Sequence, residues 1–343
     1  MQFLKDRVGE LELQLEDLWL VRECEELIDS TFRDIVTPRP DVSGNLATII
    51  ILSRGRCGLS LCITRYLVGM ATTDLLVLIT AVILHRISML YFPVLFLQTT
   101  PICSVRIALI FAARDSSGWL TVAFTIDRFI AICCPKLKSN YCTENTAAVI
   151  IGIMCALSLV KNIPLYFAME PLYIMNDVPW FCNFKPSFYS DIFWTAFSWI
   201  DHILNPCIPF LLMLLLNVLT VRYILAASRA RRRLRVQKER DKVRDPEMES
   251  RKKSIVLLFT ISGSFFLLWA TRVVNFLSVR FTKTNYSTGS YPSNPRFILQ
   301  ETGVMLHLLS CCTNTCIYAC TQRKFREEFK NGFNYLLHLI IRK

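Results

Sequence analysis

The chain has 343 residues, of which 53% are hydrophobic and 12% aromatic. That composition excludes an ordinary water-soluble domain of this size and is typical of a chain that lies mostly within a lipid bilayer. The formal net charge of +12 does not indicate a nucleic-acid partner, because no basic-aromatic module accompanies it. An excess of Lys and Arg in a membrane protein is instead typical of loops that stay in the cytoplasm.

The first 41 residues differ from the rest and form an atypical acidic segment. Apolar residues recur there at helical spacing, among them Leu4, Val8, Leu11 and Leu15. This pattern predicts an amphipathic or coiled-coil helix, and no signal peptide is expected because no basic start leads into an apolar core. One interpretation is an interaction helix. The other is an alternative exon that replaced the true beginning of the first membrane span.

Apolar runs of about 20 residues, the length that crosses ~30 Å of hydrocarbon as a helix, occur six times. The predicted second to seventh spans are Tyr66–Leu84, Ile102–Ile132, Ala147–Ala168, Ile192–Leu225, Ile255–Leu277 and Phe297–Cys320. A first span is predicted at Val42–Leu52, although it is only about half the length required. The residues just before it, Pro38 to Asp41, neither continue a helix well nor belong in lipid.

Basic residues divide unequally between the loops. On one side the loops and the tail carry 22 Lys and Arg, twelve of them between Arg229 and Lys253, whereas the opposite loops carry five. The positive-inside rule therefore places the large basic loop and the C-terminal tail in the cytoplasm. If Val42–Leu52 spans the membrane, the amino terminus lies outside; if it does not, the terminus stays inside and six spans remain.

Two cytoplasmic segments are predicted to be helical. Residues Arg229–Lys253 favour helical extensions of the fifth and sixth spans that lie along anionic lipid. Residues 321–343 follow the last span, and Phe325, Phe329 and Phe333 recur there every four residues among basic side chains. This spacing predicts a short amphipathic eighth helix on the membrane surface.

Two of the 14 cysteines lie where a disulfide is stable. Cys103 opens the third span on its outer side and Cys182 lies in the outer loop Met169–Pro186, so both face an oxidising compartment. They can bridge the loop to the third span, or they can remain two unpaired thiols. Asn285 begins an Asn-Tyr-Ser sequon in the last outer loop and is a predicted glycosylation site.

Ionisable residues inside apolar spans are costly and are therefore functional candidates. Asp127 and Arg128 stand side by side at the cytoplasmic end of the third span. Either they form a two-state ion-pair latch, or Arg128 is an interfacial base that extends to the headgroups. Asp74 lies near the middle of the second span, where a carboxylate must take a proton, a partner or a cation.

The motifs occur in a fixed order: Asn45, Asp74, Cys103, Asp127-Arg128-Phe129, Pro164, Pro209, Trp269 and Asn314-Thr315-Cys316-Ile317-Tyr318. This ordered set, from about Val42 to Lys330, resembles the rhodopsin-like G-protein coupled receptors. The resemblance implies an all-α plasma-membrane protein, with a seven-transmembrane helix bundle over residues 42–320, a shortened first span and a short amphipathic eighth helix. The stretches Trp119 to Arg128 and Leu268 to Arg272 most resemble the subgroup of the orphan G-protein coupled receptor 139, which is associated with aromatic amino acids.

The resemblance also implies roles for residues deep in the spans. Arg128 would meet the carboxy-terminal helix of a heterotrimeric G protein, of the Gq class, when the sixth span swings outward. The residues of this switch are Asp127, Arg128, Trp269, Asn314 and Tyr318. An allosteric sodium ion is the one cofactor implied, and it would be held by oxygens of Asp74, Ser117, Ser310 and Asn314.

Charged side chains on the outer halves of the spans are candidates for binding a small extracellular ligand. They are Arg114, Asp115, Asp201, Arg272 and Glu301. A cavity that offers both bases and acids suits a zwitterion with an apolar body, such as an aromatic amino acid or a short peptide. By resemblance, Arg272 binds the ligand carboxylate. The alternative is that Arg114–Asp115 and Asp201–Arg272 merely pair with each other.

Several features depart from the family pattern or favour another class of protein. Phe129 replaces a Tyr, and Thr271 and Thr315 replace prolines, so the hinge of the sixth span must come from Gly263 or from Ser and Thr.

The short first span leaves a non-signalling, receptor-like product as an alternative. A small transporter or channel is a further alternative, but no internal repeat supports it. No metal-binding spacing, nucleophile elbow or phosphate loop indicates an enzyme.

Overall fold

A computed structural model of the protein describes residues 38–91, 96–235, 246–281 and 295–331, without the side chains of 38–43, 89–90, 189, 228, 230–235, 246–254, 279–281 and 295–297. Most of the acidic amino-terminal segment, the Asn285 sequon and Phe333 therefore lie outside the described residues. The predictions made for them remain predictions.

Helices dominate the described residues. In chain order they are Pro38–Ser53, Leu61–Val77, Leu78–Ile87, Ser88–Tyr91, Phe96–Gln98, Thr100–Cys133, Pro135–Tyr141, Glu144–Asn162, Pro164–Phe167, Ser187–Ser190, Ile192–His202, Ile203–Cys207, Ile208–Arg235, Pro246–Phe281 and Pro295–Thr321, and residues 323–331 are also helical. Among them, Leu78–Ile87 and Ile203–Cys207 are π-helical segments.

Six of these helical stretches are long and apolar enough to cross a membrane. They are the second to seventh spans: Leu61–Ile87, Thr100–Cys133, Glu144–Phe167, Ile192–Ala227, Ile255–Ser278 and Ile298–Thr321. All six predicted spans are confirmed, and each observed helix contains nearly all of the predicted apolar run. The ends extend further because capping and loop residues continue the helical backbone beyond the apolar residues.

Side-chain caps fix where several of the spans begin. Ser60 accepts a hydrogen bond of 3.4 Å from the backbone nitrogen of Ile63, and Thr143 accepts one of 3.2 Å from that of Thr146. Such caps satisfy N–H groups that the first helical turn leaves without an intrahelical partner. The second and fourth spans therefore begin directly after Ser60 and Thr143, which are residue types that favour the N-cap position of a helix.

The first helix is longer than the sequence predicted, although its apolar part is short. Helical backbone begins at Pro38 and runs to Ser53, so the expectation that Pro38 to Asp41 would not be helical is wrong. Proline is tolerated in the first turn of a helix, where its missing N–H would have no partner in any case. The apolar stretch itself covers only Gly44–Ser53, in agreement with the predicted shortened span.

Polar side chains attach the first helix to the seventh span. The Asn45 amide donates a 3.0 Å hydrogen bond to the backbone oxygen of Cys311, and the hydroxyls of Thr48 and Thr315 lie 3.0 Å apart. A third contact of 3.5 Å runs from the Thr315 hydroxyl to the Asn45 side-chain oxygen. Thr315, which stands where the family pattern has Pro, thus contributes a hydroxyl that proline could not supply.

The chain forms two compact units. The larger comprises Val42–Phe266 with Cys311–Lys343, and the smaller includes Leu267–Ser310. Within the larger unit, buried apolar side chains from the second, third, sixth and seventh spans and from residues 323–331 form one core, which includes Tyr66, Phe124, Leu257, Tyr318 and Phe325. The division into residues 1–41, 42–320 and 321–343 remains a prediction.

The outer loop between the fourth and fifth spans is a pair of short β-ladders. Strands β1 (Met169–Glu170) and β4 (Asn183–Phe184) pair with each other, and β2 (Tyr173–Met175) and β3 (Val178–Trp180) form a hairpin. Its two turn residues, Asn176 and Asp177, have φ of 51° and 59°. Asn and Asp tolerate this left-handed conformation, which two-residue hairpin turns require.

The predicted bridge between this loop and the third span is confirmed, because Cys103 and Cys182 form a disulfide. Hydrogen bonds reinforce it on both sides. The backbone nitrogen of Phe181 donates to the Gln98 carbonyl at 2.6 Å, and the Thr100 hydroxyl donates to the Phe181 carbonyl at 2.6 Å. The loop is therefore fixed to the outer end of the third span by covalent and polar contacts.

The cytoplasmic segments follow the predictions as far as they are described. Helix Ile208–Arg235 and helix Pro246–Phe281 extend into the basic loop from both sides. Residues 323–331 form a helix after the seventh span, with Phe325 fully buried and Phe329 partly buried against the core of the larger unit. The eighth helix is thus present, and Phe325 and Phe329 lie on the face that packs against the core of the larger unit.

Candidate functional site

The cytoplasmic end of the third span holds a buried ion pair. Nε of Arg128 donates to Oδ2 of Asp127 at 3.0 Å, and a second nitrogen of the same guanidinium also contacts that oxygen. Asp127 has no exposed surface and Arg128 retains 4%. Of the two interpretations of Arg128, the structure thus shows the paired one, and a buried Arg is not extended toward lipid headgroups.

Two thiols from other elements contact Asp127. The Cys62 thiol, in the second span, donates to Oδ1 of Asp127 at 3.1 Å. The Cys142 thiol, in the segment between the third and fourth spans, lies 3.6 Å from the Asp127 backbone oxygen. Arg128 and Cys62 therefore bind different oxygens of one carboxylate, which connects the ion pair to the second span.

The thiol of Cys142 lies outside the spans, and its pKa is shifted upward, which makes the thiol less reactive. Partial burial, followed by the negative charge of Asp127, raises its pKa to about 12. The same two causes raise the pKa of the Tyr141 phenol beside it. Since only a thiolate is a good nucleophile, Cys142 serves as a neutral neighbour of the ion pair rather than as a reactive group.

Asp74 is a polar centre in the middle of the larger unit. Its Oδ1 accepts a 2.6 Å hydrogen bond from the Ser117 hydroxyl, and its Oδ2 accepts one of 2.7 Å from the Asn314 amide. The carboxylate is 1% exposed, and the Cys311 thiol is a further neutral partner. The structure therefore brings together three of the four predicted sodium ligands, around a buried acid whose described partners are uncharged.

The fourth predicted ligand, Ser310, belongs to the smaller unit and has its own partners there. It accepts a 3.2 Å hydrogen bond from Nε1 of Trp269 and donates one of 2.8 Å to the His307 carbonyl. The Trp269 ring meets the His307 ring edge-on at 4.6 Å between centroids. Trp269, the predicted switch residue of the sixth span, is thus held against two side chains of the seventh.

The sixth-span base Arg272 approaches the seventh span through a glycine. A side chain added at Gly303 would place its Cβ 3.4 Å from Cγ of Arg272. Glu301, the predicted ligand-binding acid of the seventh span, lies two residues before this glycine. The Arg272 stem therefore packs beside Gly303 of the seventh span, at a distance where an added Cβ would make an ordinary van der Waals contact.

Tyr318, the last predicted switch residue, lies at the cytoplasmic end of the seventh span. Its ring meets that of Phe325 edge-on at 6.0 Å. Its buried hydroxyl has no hydrogen-bond partner within the part of the chain that the structure describes. A buried hydroxyl without a partner is costly, so the packing of the described residues around Tyr318 leaves one of its polar groups unsatisfied.

The outer halves of the third, fourth and fifth spans meet in a cluster of four charges. Nζ of Lys161 lies 2.5 Å from Oδ2 of Asp115 and 2.5 Å from Oδ1 of Asp201. Arg114 lies farther away, with nitrogens 3.6 Å from Asp115 and 3.7 Å from Asp201. We call Arg114, Asp115, Lys161 and Asp201 the charge cluster. Three predicted ligand-binding residues therefore come together, joined by a lysine that the sequence did not single out.

Two buried amides complete the surroundings of Asp115. The side chain of Asn162 donates to its Oδ2 at 2.8 Å, and the side chain of Asn205 donates to its Oδ1. The carbonyl oxygens of both amides are buried and have no partner among the described residues. Both oxygens of Asp115 thus have donors, whereas the side-chain oxygens of Asn162 and Asn205 beside it have none among the described residues.

The structure shows one of the two ion pairs of the alternative interpretation. Arg114 pairs with Asp115, and Asp201 pairs with Lys161 and Arg114. The other pair, Asp201–Arg272, would join the two units and stays a prediction. A signal for Lys161 did exist, because it is the one charged residue in the predicted fourth span Ala147–Ala168. Asn162 and Asn205 carried no comparable signal, since amides occur in many spans without a functional role.

The arrangement defines a multi-pass membrane protein with a buried ion pair at its cytoplasmic side and a charge cluster toward its outer side. The sequence pattern of the seven-transmembrane receptors of the rhodopsin family matches residues 44–318. The chain therefore belongs to the rhodopsin family of seven-transmembrane receptors. Members of this family are receptors of the plasma membrane and not enzymes, in agreement with the prediction.

Individual relatives are similar at lower identity. The chain is 29% identical to the FMRFamide receptor of Drosophila melanogaster over 218 residues, which cover 58% of this chain and 38% of that protein. It is 28% identical to the probable G-protein coupled receptor 142 of Mus musculus over 215 residues, or 61% of this chain and 50% of the relative. Identity to the C-C chemokine receptor type 1 of Macaca fascicularis is 22% over 308 residues, which cover 87% and 78%.

The first two of these matches cover no more than half of the relatives' own length. The three relatives have different names, and they do not select a ligand for this chain. The resemblance to the subgroup of the orphan G-protein coupled receptor 139 remains a prediction.

Proposed function

We propose that the protein binds a small ligand from outside the cell and activates a heterotrimeric G protein of the Gq class. The observation that carries this proposal is the Asp127–Arg128 ion pair, buried at the cytoplasmic end of the third span of a rhodopsin-family chain. Arg128 is permanently charged and offers several donors. It can exchange its intramolecular carboxylate for acceptors on a partner protein, as a two-state switch requires.

For the ligand, we propose an aromatic amino acid or a short peptide. The charge cluster supports this proposal, because it places acids and bases together in the outer halves of three spans. Arg272 and Glu301 lie in the smaller unit and remain predicted ligand-binding residues. Within the larger unit, Arg114 of the charge cluster is the base proposed to take the ligand carboxylate. One relative is named for a peptide, FMRFamide, which is consistent with the peptide alternative.

We further propose an allosteric sodium ion at Asp74. The fit is supported by the hard oxygens of the Asp74 carboxylate and the Ser117 hydroxyl, and by the lack of a charged partner for Asp74 among the described residues. A cation offsets the cost of burying such a carboxylate. Sodium would then stabilise the arrangement of the second, third and seventh spans that surrounds this residue.

The first test is surface expression followed by signalling. An epitope inserted beside Asn285 is stained on unpermeabilised cells, and calcium release is then recorded with a panel of aromatic amino acids and short peptides. We expect surface staining and a ligand-dependent calcium signal that is lost in Arg128→Ala. The Arg323→Ala variant is the matched control, because Arg323 is an exposed base on the eighth helix with an exposed partner, Glu327. A chain that reaches the surface but activates no G protein would support the non-signalling alternative.

The sodium proposal has a separate test in the same cells. Agonist affinity is measured with NaCl and with an organic cation at equal ionic strength, and we expect sodium to lower it. The dependence is expected to disappear in Asp74→Ala. A sodium effect that persists in this variant contradicts the proposed site.

A further inference from the structure

The charge cluster is electrically balanced, with two bases and two acids, but the bases are not equivalent. Lys161 contacts both carboxylates at 2.5 Å, whereas Arg114 stays at 3.6 and 3.7 Å. In the described structure Arg114 makes ion pairs but no hydrogen bond, and its guanidinium lies 4.2 Å from the centre of the Phe111 ring. The ion pairs and the Phe111 ring therefore hold the guanidinium in place, while its N–H groups donate no hydrogen bond to the described residues.

In the charge cluster the two bases are more exposed than the two acids. The side chains of Asp115 and Asp201 are 1% and 7% exposed, while those of Arg114 and Lys161 are 10% and 23% exposed. The exposed part of the charge cluster is therefore mainly positive. An ammonium group is repelled there, and a carboxylate can take the donors of Arg114 in a charge-assisted contact.

Lys161 supplies a cation that contacts both acids of the charge cluster. Its Nζ sits between Asp115 and Asp201, and unpartnered acceptor oxygens of Asn162 and Asn205 lie beside Asp115. Without the Lys161 charge, the four residues would carry a net charge of −1. A buried net charge is costly, so the acceptors would then favour a cation from outside.

We infer that Lys161 sets the charge class of the ligand: it makes the site select an aromatic molecule that carries a carboxylate and exclude the corresponding amine that lacks one. This inference rests on the proposed function, because it assumes a small ligand at the outer side. It goes beyond that proposal in naming the residue that determines specificity. The ligand carboxylate binds Arg114, and Lys161 supplies the internal counter-ion of both acids.

The test uses two probes that differ only in the carboxylate, L-phenylalanine and phenethylamine. Their dissociation constants are measured by thermal stabilisation of the full chain in lipid nanodiscs, a readout that needs no G protein. The wild type is expected to bind L-phenylalanine at least about tenfold more tightly. In Lys161→Ala the ratio is expected to change by about a hundredfold and to favour phenethylamine. Lys161→Arg, which keeps the charge, is expected to keep the wild-type preference.

A second variant covers the case in which Lys161→Ala does not fold. Lys161→Ala/Asp201→Asn restores a balanced pair of charges, and it is expected to fold and to bind L-phenylalanine in preference to phenethylamine. The inference is overturned if the wild type binds neither probe, if Lys161→Ala keeps the wild-type ratio, or if the double variant prefers the amine. Loss of stability in Lys161→Ala without altered selectivity would likewise overturn it and leave a purely structural ion pair.

Binding and signalling separate this inference from the proposed function. Probe binding with the expected selectivity but without calcium release supports the role of Lys161 and contradicts the proposed signalling. Calcium release with a selectivity that Lys161→Ala does not change supports the receptor function and contradicts the role of Lys161.

Discussion

The side-chain amide of Asn314 donates a 2.7 Å hydrogen bond to Oδ2 of Asp74 and so joins the seventh span to the second. The two residues are 240 positions apart in the chain. Because Asp74 is buried, losing this donor leaves a carboxylate oxygen with fewer partners, and burial makes that loss costly.

Replacing Asn314 with Leu is therefore expected to lower the free energy of unfolding by about 1–3 kcal/mol. The measurement is the thermal midpoint of the purified chain in detergent. Cys316→Leu is the matched control, since Cys316 is an exposed residue on the same helix. Equal midpoints for the two variants would show that the Asp74–Asn314 contact contributes nothing.

Cys62 is expected to restrain the switch at the cytoplasmic side. Its thiol occupies Oδ1 of Asp127 at 3.1 Å while Arg128 binds Oδ2. Cys62→Ala removes this donor and weakens the arrangement by about 1 kcal/mol, so basal G-protein activation should rise several-fold. Cys62→Ser keeps a donor and should stay near the wild-type level. Nucleotide exchange on a co-reconstituted G protein measures the basal activation of both variants. Unchanged basal activation in Cys62→Ala would disprove the restraint.

Phe325 is expected to be the main attachment of the eighth helix. It has no exposed surface, and its ring contacts Tyr318 of the seventh span. Phe325→Ala should cost about 3–5 kcal/mol, as large-to-small changes in a core do. Phe329→Ala, at a partly buried position on the same helix, should cost distinctly less. The comparison of thermal midpoints fails to support this packing if the order is reversed.

Thiol alkylation reports the environment of Cys142. Its pKa is raised to about 12 by burial and by the charge of Asp127. The thiolate fraction, and hence the maleimide rate, should grow about tenfold per pH unit up to pH ~9.5 without levelling off. An ordinary thiol with a pKa of ~8.5 levels off within that range. Asp127→Asn removes the negative charge, so its rate curve should move to lower pH. An unmoved curve would mean that Asp127 does not act on this thiol.

The positions of the six long spans could be predicted because each depends on a local property, an apolar run of sufficient length. The bridge between Cys103 and Cys182 was foreseeable on similar grounds, since both cysteines fall on the outer side of the predicted topology. The helical turn at Pro38 was not foreseen, because a proline-rich stretch reads as a helix breaker unless its residues stand in the first turn.

The partners within the charge cluster could not be read from the sequence. Lys161, Asp115 and Asp201 lie on three different helices, and the rotation of each helix about its axis decides which side chains meet. Hydrophobic periodicity indicates the buried face of a helix only coarsely in lipid, where the outer surface is also apolar. The contact between Cys62 and Asp127 escaped prediction for the same reason, and also because a thiol is a weak donor that sequence patterns do not mark.

The disulfide has a topological consequence for ligand recognition. Cys103 and Cys182 are 79 residues apart, and the closed ring of chain between them contains the third and fourth spans. Arg114, Asp115 and Lys161 all lie on that ring. Even an unfolded chain keeps these three charges on one covalent loop, which narrows the set of conformations that must be searched before they meet. Of the charge cluster, only Asp201 must be brought in from outside the ring, when the fifth span docks.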